Sequence, residues 1–310
     1  GTKGITMKKA LTPAILALTL AACVGNETTS SSEQATQSSS QNAISSQAQT
    51  SSTAPVSSSS VAISSSSSVA ASSSIAAQGS EFCPGDEPCR ILPLGDSITV
   101  GVPDSNGGYR APLFRLAVQA GLDITFVGQN PPDQGGFLVG DNGPNGPATI
   151  EGVPFPPYHL GTSGITIQDL QQKIMDFNLL PFAAPNSEEP HIVLLHIGTN
   201  NMWNGGPNGT DARLRTLVDY LTAILPDALI VVSNIIPWPD QAGNVNQYNG
   251  YIRPIVEAKQ AAGYNVIFVD QFSGFPTNQL ADGIHPNANG YAAMANVWFE
   301  AIEEYLVDVD

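Results

Sequence analysis

Residues 82–310 predict a three-layer α/β/α sandwich around a mostly parallel, five-stranded sheet. Two observations carry that prediction. Short, continuous apolar runs such as Ile192 to Ile197 and Ala228 to Ser233 have the composition of strands covered on both faces. Longer segments with apolar residues at helical spacing alternate with those runs, which implies right-handed crossovers between parallel strands.

The elements follow in chain order. Arg90 to Gly95 is the first strand, and Pro112 to Ala120 is a helix with Leu113, Leu116, Ala117 and Ala120 on one face. Gly121 suits its end. Asp123 to Gly128 is the second strand. Gln129 to His159 is rich in Gly and Pro and has no clear period. Loops longer than about 15 residues are uncommon in compact domains, so this one reads either as a wall over a site or as an unstructured insert. Ile165 to Asn178 is helical, Ile192 to Ile197 a buried strand, Asp211 to Leu225 a helix and Ala228 to Ser233 a strand. Asn246 to Ala262 is a helix closed by Gly263, Val266 to Val269 the last strand and Asn287 to Leu306 the last helix.

The chain before this domain differs in kind. Met7-Lys8-Lys9 and the apolar run to Ala22 have the charged and hydrophobic regions of a secretory signal in residues 1–22. At roughly a dozen residues, with Pro13 inside, the run is short of the about 20 that a membrane span needs. It ends Leu20-Ala21-Ala22-Cys23, which resembles the lipobox of bacterial lipoproteins. That resemblance implies a lipid on Cys23, and Val24 beside it implies sorting to the outer membrane. The alternative is ordinary signal cleavage next to an incidental cysteine. Residues 23–81 are mostly Ser, Ala, Thr and Gln without an aromatic residue, and such a stretch cannot bury enough surface to order itself. It reads as a tether.

The formal charge is −16, from 27 acidic and 11 basic residues, which excludes a phosphate-binding nucleic-acid partner. A neutral or cationic substrate fits better, and the chain is read as a monomer. Cys83 and Cys89 bracket five residues that include Pro84, Gly85 and Pro88. Export permits a disulfide there, whereas two thiols without a nearby His make a poor metal site. No metal motif, phosphate loop or dinucleotide fingerprint occurs, so no cofactor is expected.

Four blocks carry chemistry. Ser97, in Gly95-Asp96-Ser97, falls where the first strand ends, at the carboxyl edge where ligands collect in open α/β sheets. Gly164 precedes a helix, where its N–H suits an anion; on its own it is an ordinary loop glycine. Asn200, in Gly198-Thr199-Asn200, follows the buried strand at 192–197 and offers a neutral amide donor to a developing oxyanion. Asp282 lies three residues before His285, a spacing that lets the carboxylate bond the ring and fix its tautomer.

In order, these blocks resemble those of the SGNH hydrolases, also called GDSL esterases and lipases, which have a flavodoxin-like sheet. The resemblance implies Ser97 as nucleophile, His285 as base and Asp282 as its orienter, with Ser97 N–H, Gly164 N–H and the Asn200 amide as oxyanion donors. Asp96 then organises the turn. The longer strings Ile91 to Thr99, Ser105 to Arg110 and Ile192 to Asn200 look like the family-three carbohydrate esterases, which remove acetyl groups from hemicellulose. That implies an acetyl xylan esterase-like enzyme acting on acetylated polysaccharide, and it adds Tyr109 and Arg110 to the substrate contacts. Two departures stand out: Asn201 where the family has Asp, and the Pro-rich insert at 129–158.

Other residues compete. His196 lies in a buried strand and reads as core, His191 opens that strand and reads as exposed, and His159 either lines the substrate site or holds a loop. Ser163 is a rival nucleophile without a strand leading into it. Trp203 and Trp238 follow strand ends on the catalytic edge and either stack on a sugar or pack their loops, while Trp298 reads as core. A lipid esterase or thioesterase, and a non-catalytic glycan-binding surface lipoprotein, are the competing functions.

Overall fold

The computed structural model describes residues 82–103, 106–128, 143–180 and 189–306. The expected signal at 1–22, Cys23, the expected tether to residue 81 and the first part of the long loop, 129–142, lie outside the described residues.

The first strand, β1 (Cys89–Gly95), is buried at every position except the half-buried Arg90. A four-residue helix, α1 (Ser97–Val100), follows it directly. Next come α2 (Arg110–Ala120), β2 (Ile124–Phe126), the small hairpin β3 (Thr149–Ile150) and β4 (Val153–Pro154), β5 (Leu160–Gly161) and α3 (Ile167–Asp176). The chain continues through β6 (Ile192–His196), α4 (Thr199–Trp203), α5 (Thr210–Ile224), β7 (Leu229–Ser233), α6 (Ala242–Ala261), β8 (Val266–Val269) and α7 (Ala288–Ile302).

The five predicted strands form one parallel sheet in the order β2-β1-β6-β7-β8. Alternate side chains of each strand enter different cores, because both faces are covered. Leu92, Leu94, Val193, Leu195, Ile230 and Val232 pack with apolar residues of α3, α5 and α6. Ile91, Ile192, Leu194, Leu229 and Val231 pack with α2 and α7, where Leu113, Phe114 and Trp298 fill the layer. Trp298 is therefore core, as its position predicts. At the entrance, Cys83 and Cys89 are joined as a disulfide. By chain entropy, closing so small a loop contributes about 2 kcal/mol.

The sheet has a sixth, two-residue segment that the sequence did not announce. β5 pairs with Leu94 and Gly95 of β1, in the lane that β2 occupies further back. The chain leaves that lane at Gly128 and returns at His159, whose N–H donates to Gly128 O at 3.1 Å. The long loop is thus an excursion inserted within one lane.

Of three predicted substrate contacts, Arg110 and His159 turn out to hold this excursion down, and Tyr109, next to Arg110 in the chain, is buried as well. Arg110 is fully buried, and its guanidinium donates to Pro157 O at 3.0 Å, Asn145 Oδ1 at 2.9 Å and Val100 O at 3.2 Å. Burial lowers its pKa to about 10, so it stays charged at neutral pH. Tyr109 is equally buried, beside Thr99. His159 is 2% exposed, accepts from Gly161 N at 3.0 Å through Nδ1, and lies 3.1 Å from Gly143 O through Nε2. Burial pushes its pKa well down. None of the three reaches solvent, so Tyr109 and Arg110 are corrected from substrate contacts to structural residues, and of the two roles read for His159 the structure supports the loop.

Other differences are local. α6 begins at Ala242 rather than Asn246, because a 3₁₀ turn at Pro239–Gln241 leads straight into it. The last helix gives way to a 3₁₀ turn at Glu303–Tyr305. α4 was not foreseen, since five residues are too few to show a period. His191 is half-buried rather than exposed: its ring meets Arg90, accepting from Arg90 N at 3.0 Å.

Candidate active site

The carboxyl ends of β1, β6 and β8 each deliver one polar group to the same edge of the sheet. At β1 this requires close strand approach, since a Cβ on Gly95 would lie 2.1 Å from His196 O. Asp96, in extended conformation, then caps α1 by accepting from Ile98 N at 3.0 Å. Ser97 is the first helical residue and is 8% exposed. Full burial pushes the Asp96 carboxyl up to about 6, outweighing the Ile98 N–H, the neighbouring Thr199 hydroxyl and the attraction of His285.

His285 comes from the segment between β8 and α7. That segment is closed on itself: Ala281 N donates to His285 O at 2.7 Å, and Asn287 caps α7 by accepting from Asn289 N and Gly290 N. Asp282 Oδ1 accepts from Ile284 N at 3.0 Å and His285 N at 2.8 Å, so the carboxylate is fixed by its own turn. Its Oδ2 lies 2.8 Å from His285 Nδ1, and His285 Nε2 lies 2.8 Å from Ser97 Oγ. Desolvation raises the Asp282 pKa, but the two N–H donors and the imidazole more than offset it, and the group is held below its usual value. A charged carboxylate only accepts, which places the imidazole proton on Nδ1 and leaves Nε2 to accept from the Ser97 hydroxyl.

The two expected donors line the same cavity as this relay. Gly164 sits in the turn before α3 with φ at 79°, a conformation that favours glycine. Asn200, on α4, donates from Nδ2 to Ile165 O at 2.9 Å, which ties the amide to the Gly164 turn. Asn201 strengthens the same junction. It is buried, accepts from Ile167 N at 3.0 Å and donates to Gln168 Oε1 at 3.1 Å. An Asp here could keep the first bond, and would keep the second only if Gln168 turned its amide to donate. The departure at 201 thus substitutes a neutral clamp between α4 and the start of α3, a role that sequence reading missed.

Ser97, Gly164, Asn200 and His285 line one cavity of about 210 Å³ with Val102, Ser163, Thr199, Trp203, Trp238 and Ile284. Asp282 stands behind His285. No residue of 143–159 lines this cavity, so the described part of the excursion is not a wall over it. Val102 and Ile284 were not singled out in the sequence, although each lies within five residues of a motif residue. His196 is fully buried, with its pKa lowered to about 4 by desolvation, and belongs to the core as expected. The geometry can polarise a serine hydroxyl and hold negative charge opposite it, which is the requirement of acyl transfer.

The chain matches the GDSL-like Lipase/Acylhydrolase family over residues 94–293, well over half its length. It belongs to that family. Among curated proteins, it is 35% identical over 232 residues to the multidomain esterase of Ruminococcus flavefaciens, an alignment covering 70% of this chain and 29% of that protein. The chain therefore spans less than a third of that relative. Among solved structures, a Clostridium thermocellum family 3 carbohydrate esterase is 32% identical, with a TM-score of 0.56 over 71% of this chain and 98% of that one. A family 3 carbohydrate esterase from Talaromyces cellulolyticus shares the fold at 23% identity and a TM-score of 0.52, over 70% and 99% of the two chains. The α/β/α layers agree with those of the solved Clostridium thermocellum family 3 carbohydrate esterase, and Ser97, Gly164, Asn200, Asp282 and His285 all lie within the residues matched to the family.

Proposed function

We propose that this GDSL-like hydrolase is a serine esterase that removes O-acetyl groups from plant cell-wall polysaccharide, with acetylated xylan and its oligosaccharides as first candidates. The observation that carries the proposal is the continuous Ser97–His285–Asp282 relay opening on a small cavity that also holds Gly164 and Asn200.

In this mechanism Ser97 Oγ attacks the acetyl carbonyl while His285 Nε2 takes the hydroxyl proton. Ser97 N–H, Gly164 N–H and Asn200 Nδ2 receive the tetrahedral oxyanion. The imidazolium, stabilised by Asp282, passes its proton to the departing sugar oxygen and leaves an acetyl ester on Ser97. Water then gives a proton to Nε2 and attacks that ester. Collapse returns the proton to Ser97 and releases acetate.

Cavity size supports acetyl over a longer acyl group. Pockets for drug-sized ligands run from about 300 to 1,000 Å³, and this one is about 210 Å³, with Val102, Ile284 and Trp238 as apolar walls. The similarity to a family 3 carbohydrate esterase supports a sugar as the alcohol. The lipobox-like Leu20 to Cys23 supports export and attachment to the outer membrane through lipid.

Ethyl esters of increasing chain length, with a panel of acetylated xylan, mannan, pectin and chitin oligomers, test the substrate. The expected result is acetate release from xylan oligomers and a loss of about tenfold or more in kcat/KM from acetate to octanoate, one methylene being worth about tenfold or more in a hydrophobic pocket. Faster cleavage of octanoate, with no acetate from any glycan, would assign the chain to lipid esters instead.

A further inference from the structure

We propose that Trp203 is a preformed stacking platform for a pyranose ring of the acetylated glycan, at the rim of the Ser97 cavity. The proposal rests on the esterase reading above and adds a site for the sugar beside the site for the acetyl group.

Three observations support it. Trp203 is 67% exposed, more than Val153, Met175, Phe177 or Tyr264, the other large apolar side chains exposed among the described residues. An indole left in water forfeits the burial that normally fixes its place in a fold, so packing alone does not explain its position. Next, its orientation is set: the ring lies parallel to that of Trp238, centroids 5.7 Å apart and planes 5° apart, while Trp238 itself is 5% exposed. A buried indole therefore holds an exposed one in a defined plane. Finally, Trp203 shares α4 with Asn200, three residues away, so the two project from the same helical face. The clamp that Asn200 and Asn201 make with Ile165 and Ile167 positions both the oxyanion donor and the platform.

The chemistry of the occupant follows from the ring. An indole face carries negative potential and prefers polarised C–H groups laid flat on it. The C–H face of a β-pyranose offers such a surface while its equatorial hydroxyls stay in water. A sugar esterified through one hydroxyl can then point its acetyl group towards Ser97 with its ring on Trp203.

The test compares the wild type with Trp203→Ala and Trp203→Tyr on acetylated xylo-oligosaccharides and on ethyl acetate, which has no ring. The platform predicts that Trp203→Ala raises KM for the oligosaccharide about tenfold, the order of one lost aromatic contact. The loss on ethyl acetate, which enters the cavity but has no ring to stack, is several-fold smaller, and kcat falls less than KM rises. Trp203→Tyr recovers most of the loss. Equal losses on both substrates would make Trp203 a cover for Trp238 and overturn the proposal. A loss confined to longer ethyl esters would make it an acyl wall, which also overturns it. A wild type that hydrolyses ethyl acetate but releases nothing from any acetylated glycan would sink the polysaccharide reading and the platform with it.

Discussion

Replacing Asp282 by Asn is expected to lower kcat on acetate esters by about four orders of magnitude with little change in KM, the loss seen when a histidine is held in the wrong tautomer. The expectation follows from how Asp282 is fixed. Its Oδ1 is occupied by the N–H groups of Ile284 and His285, so an Asn keeps its carbonyl oxygen there and turns its amide towards the ring. An amide donor facing Nδ1 forces that nitrogen to accept, and the proton moves to Nε2. Nε2 can then no longer take the proton from Ser97, which sits 2.8 Å away. The turn keeps its backbone bonds, so the fold should be unchanged by circular dichroism and thermal melting. Stopped-flow or steady-state acetate release measures the rate. A loss smaller than tenfold would mean that the pair is a surface contact rather than part of the reaction.

Asn200→Ala is the second large effect, a fall of about a hundred- to a thousand-fold in kcat, the range for one oxyanion donor. Asn200 also holds the Gly164 turn through Ile165 O, so a structural loss accompanies the chemical one. Losing one hydrogen bond costs about 1 kcal/mol, which in a domain of this size lowers Tm by roughly 2–4 °C. The two consequences separate cleanly, because a shift that small leaves the protein folded at 25 °C while the rate collapses. Activity within tenfold of wild type would remove Asn200 from the oxyanion site.

How far the sequence could be read depended on the length of each signal. β8 matches its apolar run residue for residue, and β6 falls one residue short of its run. Strands buried on both faces write themselves as continuous apolar segments, and the parallel sense of the sheet followed from alternation with helices; the strand order did not. The five residues at the centre of the site were legible as well, since each lies in a short block just beyond a strand or just before a helix. α4 was not legible, and with it went the clamp by Asn201 and the fixed plane of Trp203. Both depend on which way five residues coil.

Adjacency to a motif was the misleading signal. Tyr109 and Arg110 belong to a string that looks like the carbohydrate esterases, but both are buried: Arg110 binds Asn145, Pro157 and Val100, and Tyr109 lies beside Thr99. Sequence says that they are near Ser97 in the chain and not which side of the loop they face. His159 was read both ways, and its ring, bonded to Gly161 N beneath the surface, takes the loop role.

The central claim is that Ser97 is acylated during turnover, and the direct measurement is mass mapping of the protein after a fluorophosphonate probe, alongside acetate release from acetylated xylan. The account predicts one label, on the peptide carrying Ser97, with loss of acetate release in the labelled protein and in Ser97→Ala. Continued acetate release by Ser97→Ala, or a label that settles on Ser163 instead, would contradict it.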